Sequence, residues 1–108
     1  MPSIEQLEKL LAADPKDTFV LYGLAQEWAK RGDAGKAVEF YDRCLAEDPH
    51  YCYAYFHKAR ALEDAGRREE AIEALRVGVG AAREAGDEKA LGEMGSYLDE
   101  LRGEGWAA

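Results

Sequence analysis

The sequence lacks the features of secreted and membrane proteins. It has only two cysteines and three prolines in 108 residues, and two cysteines are too few for a disulfide framework. No apolar run approaches the roughly 20 residues that a membrane-spanning helix needs. Residues 1–5 also lack the basic and then apolar pattern of a secretory signal. We therefore expect a cytoplasmic protein with reduced thiols and no membrane partner.

The sequence also lacks a basic surface. It contains 14 Lys and Arg against 22 Asp and Glu, which gives a formal net charge of −8. Its longest basic run, Arg67-Arg68, is followed at once by two glutamates. Nucleic-acid binding needs positive charge to neutralise phosphates, so we expect no nucleic-acid partner. An acidic protein mildly favours basic or neutral partners.

What the sequence does contain is a repeat with a period of 34 residues. Shifting the chain by that period superimposes residues with special backbone or packing roles. The pairs are Asp14-Pro15 with Asp48-Pro49, Ala25 with Ala59, Gly32 with Gly66, and Ala37 with Ala71. A repeat of this length indicates stacked supersecondary units that share a continuous core.

Each unit is predicted to contain two helices. In the first unit the apolar residues follow helical spacing and are Leu21, Leu24, Ala25 and Trp28, then Ala37, Tyr41, Cys44 and Leu45. Gly32 suits the end of one helix and Asp33 the N-cap of the next. Pro49 cannot continue the second helix. The second unit repeats this pattern, and its second helix is expected to continue to about Ala85.

The two ends complete a prediction of about six helices in residues 1–102. Residues 3–13 match only the second helix of a unit, with Ser3 and Gln6 forming a capping box and Leu7, Leu10 and Leu11 facing inwards. Residues 87–102 form a last helix, whose inward residues are Leu91, Met94, Leu98 and Leu101. We expect the tail, residues 103–108 with Trp106, to be mobile.

These residues resemble the tetratricopeptide repeat (TPR) family. Residues 18–51 match its pattern at Leu21, Leu24, Ala25, Trp28, Gly32, Ala37, Tyr41, Cys44 and Pro49, and residues 52–85 match it at Tyr55, Ala59, Leu62, Gly66, Ala71, Leu75 and Gly78. Lys58 replaces a usual leucine and Arg83 a usual proline. The resemblance implies an all-α solenoid with a half repeat, two full repeats and a C-terminal capping helix.

The resemblance also implies that the first helix of each pair lines a concave groove. The groove positions are Phe19, Tyr22, Gln26, Tyr53, Phe56 and Arg60. We expect the aromatic side chains to hold a peptide or a helix of a partner protein, and Arg60 and Gln26, with Lys30 nearby, to orient it. The alternative is that neighbouring helices cover these aromatic rings. Tyr22, Gln26 and His57 stand where a known subgroup of the family binds C-terminal carboxylates through lysine and asparagine, which argues against that type of site.

No catalytic or metal site is expected. Cys44, His50, Cys52 and His57 lie close in sequence, but their spacing fits no zinc motif. No glycine-rich phosphate loop is present, and no residue suggests a nucleophile with its base and oxyanion site. We therefore predict a non-catalytic interaction scaffold without cofactors. The rival hypothesis is a subunit that assembles with itself through the solenoid ends or the tail.

Overall fold

The computed structural model describes residues 2–103, which contain six α-helices and no strand. The helices are α1 (Ile4–Ala13), α2 (Thr18–Lys30), α3 (Ala34–Glu47), α4 (Cys52–Asp64), α5 (Arg68–Ala85) and α6 (Glu88–Arg102). The predicted all-α architecture of about six helices is confirmed. Apart from Gly103, the tail with Trp106 lies outside the described residues.

Each helix packs against the next one along the chain, and α4 also contacts both α2 and α6. The first helices of successive pairs, α2, α4 and α6, therefore lie side by side. We call the surface that these three helices share the groove. The stack measures 50 × 30 × 20 Å.

The ends of the helices follow from local hydrogen bonds that the sequence predicted. The Oγ of Ser3 accepts from the backbone N–H of Gln6 at 3.1 Å, and the Gln6 side chain accepts from the Ser3 N–H at 2.8 Å. Gly32 and Gly66 both have a φ of 78°, a left-handed conformation that glycine adopts without steric cost. Asp33 caps α3 by accepting from the third backbone N–H of that helix at 3.0 Å.

Small residues allow the paired helices to approach closely. The four alanines that recur at the repeat period, Ala25, Ala37, Ala59 and Ala71, are completely buried. The helices approach even more closely at Gly78 on α5. A Cβ at this position would lie 2.6 Å from the Cβ of Tyr55 and 2.7 Å from the Sδ of Met94, so glycine is the residue that fits between α4 and α6.

One prediction about α1 is wrong. Leu10 does not face inwards and is 52% exposed, whereas Ile4 and Leu7 are buried and Leu11 is half buried. The physical reason is that α1 packs only against α2. A helix with a single neighbour buries one narrow stripe, and Leu10 lies on the flank that a preceding helix would have to cover.

The two departures from the repeat pattern both have a structural explanation. Lys58 on α4 forms an ion pair with Asp42 on α3, with 2.6 Å between Nζ and Oδ1, so it links two consecutive units. Where a proline would have ended the helix, Arg83 lets α5 continue to Ala85. As a result α5 has 18 residues, whereas the equivalent helix of the first unit, α3, has 14.

Candidate partner-binding groove

The six predicted groove residues lie on α2 and α4 and differ in exposure. Phe19 is 75% exposed, which makes it the most accessible of the large apolar side chains along the described chain. Arg60 is also exposed, while Tyr22, Gln26, Tyr53 and Phe56 are half buried. The sequence left open whether neighbouring helices cover these aromatic rings. In the structure the cover is partial, and an accessible apolar surface remains.

A row of aromatic rings runs along the groove from one helix to the next. The ring centroids of Tyr51 and Tyr22 are 4.9 Å apart, and those of Tyr22 and His57 are 6.0 Å apart. The row continues from His57 to Phe56 at 5.3 Å and from Phe56 to Tyr97 on α6 at 5.4 Å. We call these five residues the aromatic floor. Their mutual packing holds the rings in place.

The polar groups beside the aromatic floor are largely engaged. The Gln26 amide oxygen accepts a hydrogen bond from the hydroxyl of Tyr41, which leaves its NH₂ group to donate. Lys30 pairs with Glu27 on the same helix, at 3.1 Å. Burial raises the pKa of Tyr22 to about 12, so its hydroxyl stays protonated and remains a hydrogen-bond donor at neutral pH.

His57 occupies the middle of the aromatic floor. Burial, together with the positive charge of Arg60, lowers the pKa of the imidazole from its ordinary value of 6.5. The ring is therefore neutral at pH 7, and it packs edge-on against Tyr22 and Phe56. In this state it acts as part of an apolar surface.

Within the groove, a cleft of about 780 Å³ opens between α4 and α6. Its lining residues are Phe56, Arg60, Glu63, Asp64, Glu88, Lys89, Gly92, Glu93, Ser96, Tyr97 and Glu100. The Tyr97 hydroxyl donates to Glu63 at 2.5 Å, and the Tyr53 hydroxyl donates to Glu93 at 2.7 Å. These two bonds run in opposite directions across the cleft and fix one carboxylate on each wall.

Sequence reasoning missed the contribution of α6 to this cleft. It treated α6 as a capping helix and considered only its apolar stripe, of which Met94, Leu98 and Leu101 are buried and Leu91 is half buried. The available signal was the neighbouring polar stripe at helical spacing, Lys89, Glu93, Ser96 and Glu100. The greater length of α5 shifts this stripe out of strict 34-residue register, which hides it from a comparison of repeats.

The cysteines and histidines do not converge on one point. The Cys44 thiol donates to the carbonyl of Thr18 at 3.6 Å, and the Cys52 thiol donates to the carbonyl of His50 at 3.3 Å. Burial raises the pKa of Cys44 to about 11, which keeps it as an unreactive thiol. Residues 2–103 contain no group of three or more His, Cys, Asp or Glu arranged to hold a metal ion. None of their helices is long and apolar enough to span a membrane.

Comparisons with known proteins agree with the geometry. Residues 29–91 match the family model of the tetratricopeptide repeat. A TPR repeat-containing protein of Pseudomonas aeruginosa is 34% identical over 91% of this chain and 93% of its own length. The solution structure of a TPR domain protein from Salinibacter ruber is 33% identical, with a TM-score of 0.76 over 83% of this chain and 91% of that one. A protein from Bordetella parapertussis is 26% identical, with a TM-score of 0.81 over 96% and 90% of the two chains.

Proposed function

Because this chain belongs to the tetratricopeptide repeat family, whose members generally serve as protein-interaction scaffolds, we propose that its groove binds a peptide or a helix of a partner protein. The observation that carries this proposal is the aromatic floor, which runs from Tyr22 on α2 to Tyr97 on α6, together with the exposed Phe19 on α2. A large accessible aromatic next to preorganised rings is typical of a binding surface.

The energetics favour binding at this surface. Fully burying a phenylalanine side chain contributes roughly 1.5–3 kcal/mol, and Phe19 still exposes most of its surface. The half-buried rings of Tyr22, Tyr53 and Phe56 are already held by their neighbours, so a partner has little side-chain entropy to remove from them. Arg60 and the NH₂ group of Gln26 supply hydrogen-bond donors that would fix the partner's orientation.

The groove can be tested with a variant that removes its most exposed apolar side chain. Phe19→Ala truncates a ring that is 75% exposed. Val77→Ala is the matched control on α5, where Val77 is 46% exposed. Each protein is immobilised and used for affinity capture from the native cell, followed by mass spectrometry.

The expected result is a partner protein that the wild type and the α5 variant both retain and that the groove variant loses. Circular dichroism should give equal melting temperatures for the two variants within the experimental error. A partner retained by the groove variant and lost by the α5 variant would place binding on the opposite side of the stack and contradict the proposal.

Self-assembly is the second candidate, and the exposed Leu10 favours it. Leu10 and Pro2 border a cleft of about 470 Å³ on the free side of α1, where no other helix of residues 2–103 packs. A second copy could cover this face. Light scattering after size exclusion tests it, since Leu10→Lys should convert a dimer to a monomer. A wild type that stays monomeric at high concentration would rule out this candidate.

We also propose that the protein is non-catalytic and acts in the cytoplasm. TPR proteins are generally scaffolds, and the raised pKa of Cys44 disfavours a nucleophilic thiol. Cys44 and Cys52 are both free, which suits a reducing compartment. A thiol titration of protein isolated under acid quench tests the location, because cytoplasmic protein should retain both thiols in reduced form.

A further inference from the structure

We propose that the cleft between α4 and α6 binds a lysine or arginine side chain, so that the partner segment in the groove is basic. This inference rests on the proposed function and specifies the chemistry of the partner. Three features of the cleft carry it: its excess of carboxylates, the way two of them are held, and the aromatic rings in its lining.

The cleft carries an excess of negative charge. Five of its lining residues are Asp or Glu and two, Arg60 and Lys89, are basic. The whole chain has the same sign, with a net charge of −8. A concave surface of one sign concentrates ligands of the opposite sign and accelerates their association. The two basic residues reduce this excess without reversing it.

Two carboxylates of the cleft are held in place by neutral groups. Glu63 and Glu93 accept from the hydroxyls of Tyr97 and Tyr53, and neither takes part in an ion pair within residues 2–103. A carboxylate has about four acceptor positions, and each hydroxyl occupies one of them. A cationic partner would therefore meet preorganised acceptors on both walls, which lowers the entropic cost of binding.

The opposite side of the stack shows the contrast. A second cleft of about 390 Å³ lies between α3 and α5 and also contains acidic and basic residues. There the charges pair with each other: Lys58 with Asp42 and Arg67 with Glu70. Within residues 2–103, none of the ion pairs of the structure includes a carboxylate of the α4–α6 cleft. Within the described residues, the carboxylates of the groove side therefore differ from those of the opposite side in forming no ion pair.

The aromatic lining of the cleft suits the rest of a basic side chain. Phe56 is half buried and Tyr97 is 9% exposed, and their ring centroids lie 5.4 Å apart. Aromatic faces attract ammonium and guanidinium groups, and the alkyl stem of lysine or arginine packs on apolar surface while its charged end stays near solvent. An acidic side chain would gain neither interaction.

The test uses short, fluorescein-labelled peptides blocked at both ends. One consists of repeating Lys-Leu-Ala units, and the others carry Gln or Glu in place of each Lys. The full chain is titrated against each peptide and binding is followed by fluorescence anisotropy. Glu93→Gln with Glu100→Gln removes two charges from the cleft while leaving residue 93 able to accept from Tyr53. Glu39→Gln with Glu47→Gln removes two exposed charges from α3 as the matched control.

We expect the lysine peptide to bind more tightly than both others. The cleft variant should weaken it roughly fivefold, a size typical of two solvent-exposed charge pairs, and the α3 variant should change it less than twofold. Added salt should weaken wild-type binding more than binding by the cleft variant.

Equal weakening by the two variants would mean that only the overall charge matters, and the inference would be wrong. Binding of the glutamine peptide as tightly as the lysine peptide would also overturn it. In that case Phe19→Ala separates the two proposals: if it still weakens the glutamine peptide, the groove binds peptides without a charge preference and the proposed function stands. Failure of every peptide to bind wild-type protein at millimolar concentration would also overturn the inference, and the cellular capture experiment would then decide the proposed function alone.

Discussion

The contact at Gly78 offers the sharpest test of how the helices pack. A Cβ added there would meet the Cβ of Tyr55 at 2.6 Å and the Sδ of Met94 at 2.7 Å. The methionine side chain can move aside, but the Cβ of Tyr55 is attached to the backbone of α4. Gly78→Ala must therefore push α4 and α5 apart, and overpacking of this kind costs about 1–3 kcal/mol.

Gly80 provides a control on the same helix. A Cβ at that position has nothing within 4 Å. Replacing glycine by alanine inside a helix contributes about 0.8–1.0 kcal/mol through helix propensity, and this contribution is common to both substitutions. The difference in the free energy of unfolding between Gly78→Ala and Gly80→Ala therefore isolates the cost of the close contact.

The measurement is thermal and urea unfolding of the two variants and the wild type. We expect Gly80→Ala to be more stable than the wild type and Gly78→Ala to be less stable. Their melting temperatures should differ by roughly 4–12 °C, taking about 4 °C per kcal/mol for a chain of this size. If Gly78→Ala were as stable as Gly80→Ala, the claim that α5 packs closely against α4 and α6 at Gly78 would be wrong.

Three further predictions concern stability. Asp33→Ala removes the acceptor for the backbone N–H of Lys36 and should lower the free energy of urea unfolding by about 1 kcal/mol; an unchanged value would contradict the capping role. Asp42→Ala should cost up to about 1 kcal/mol by leaving Lys58 unpaired, whereas Lys58→Leu should be close to neutral because leucine packs where the family usually has it. The pKa of His57 is lowered in the folded state, so its contribution to the free energy of unfolding is complete above pH 6.5 and is lost as the pH falls through the folded-state pKa. His57→Gln should flatten that part of the plot of stability against pH, and an NMR titration should show an imidazole midpoint below 6.5.

The fold was largely predictable because helix ends and close contacts need particular residues. Gly32 and Asp33 mark a boundary in any helical hairpin of this type, and Ala25 and Ala59 mark positions where larger side chains cannot fit. These local rules repeat at one period, so each copy supports the other. Leu10 was mispredicted because helical spacing describes a stripe and does not reveal whether a neighbouring helix exists to cover it.

The groove was predictable only in part. The repeat places Tyr22 and Phe56 at equivalent positions, and both lie in the aromatic floor. The partners of these rings come from outside the repeat comparison: Tyr97 lies on α6, and Glu93 reaches Tyr53 from 40 residues away in sequence. Such contacts depend on how far each unit is rotated relative to the previous one, and no local pattern encodes that rotation. The division of the chain into repeats 18–51 and 52–85 also stays a prediction.

The most direct test of the groove as a binding surface is an NMR titration of ¹⁵N-labelled protein with the lysine peptide. We predict that the amide shifts of α4 and α6 change most, with Arg60, Glu93 and Tyr97 among the affected residues. The amides of α3 and of the outer face of α5 should remain nearly constant. Shifts concentrated on α3 and α5 instead would contradict the claim that this fold presents its partner site on α2, α4 and α6.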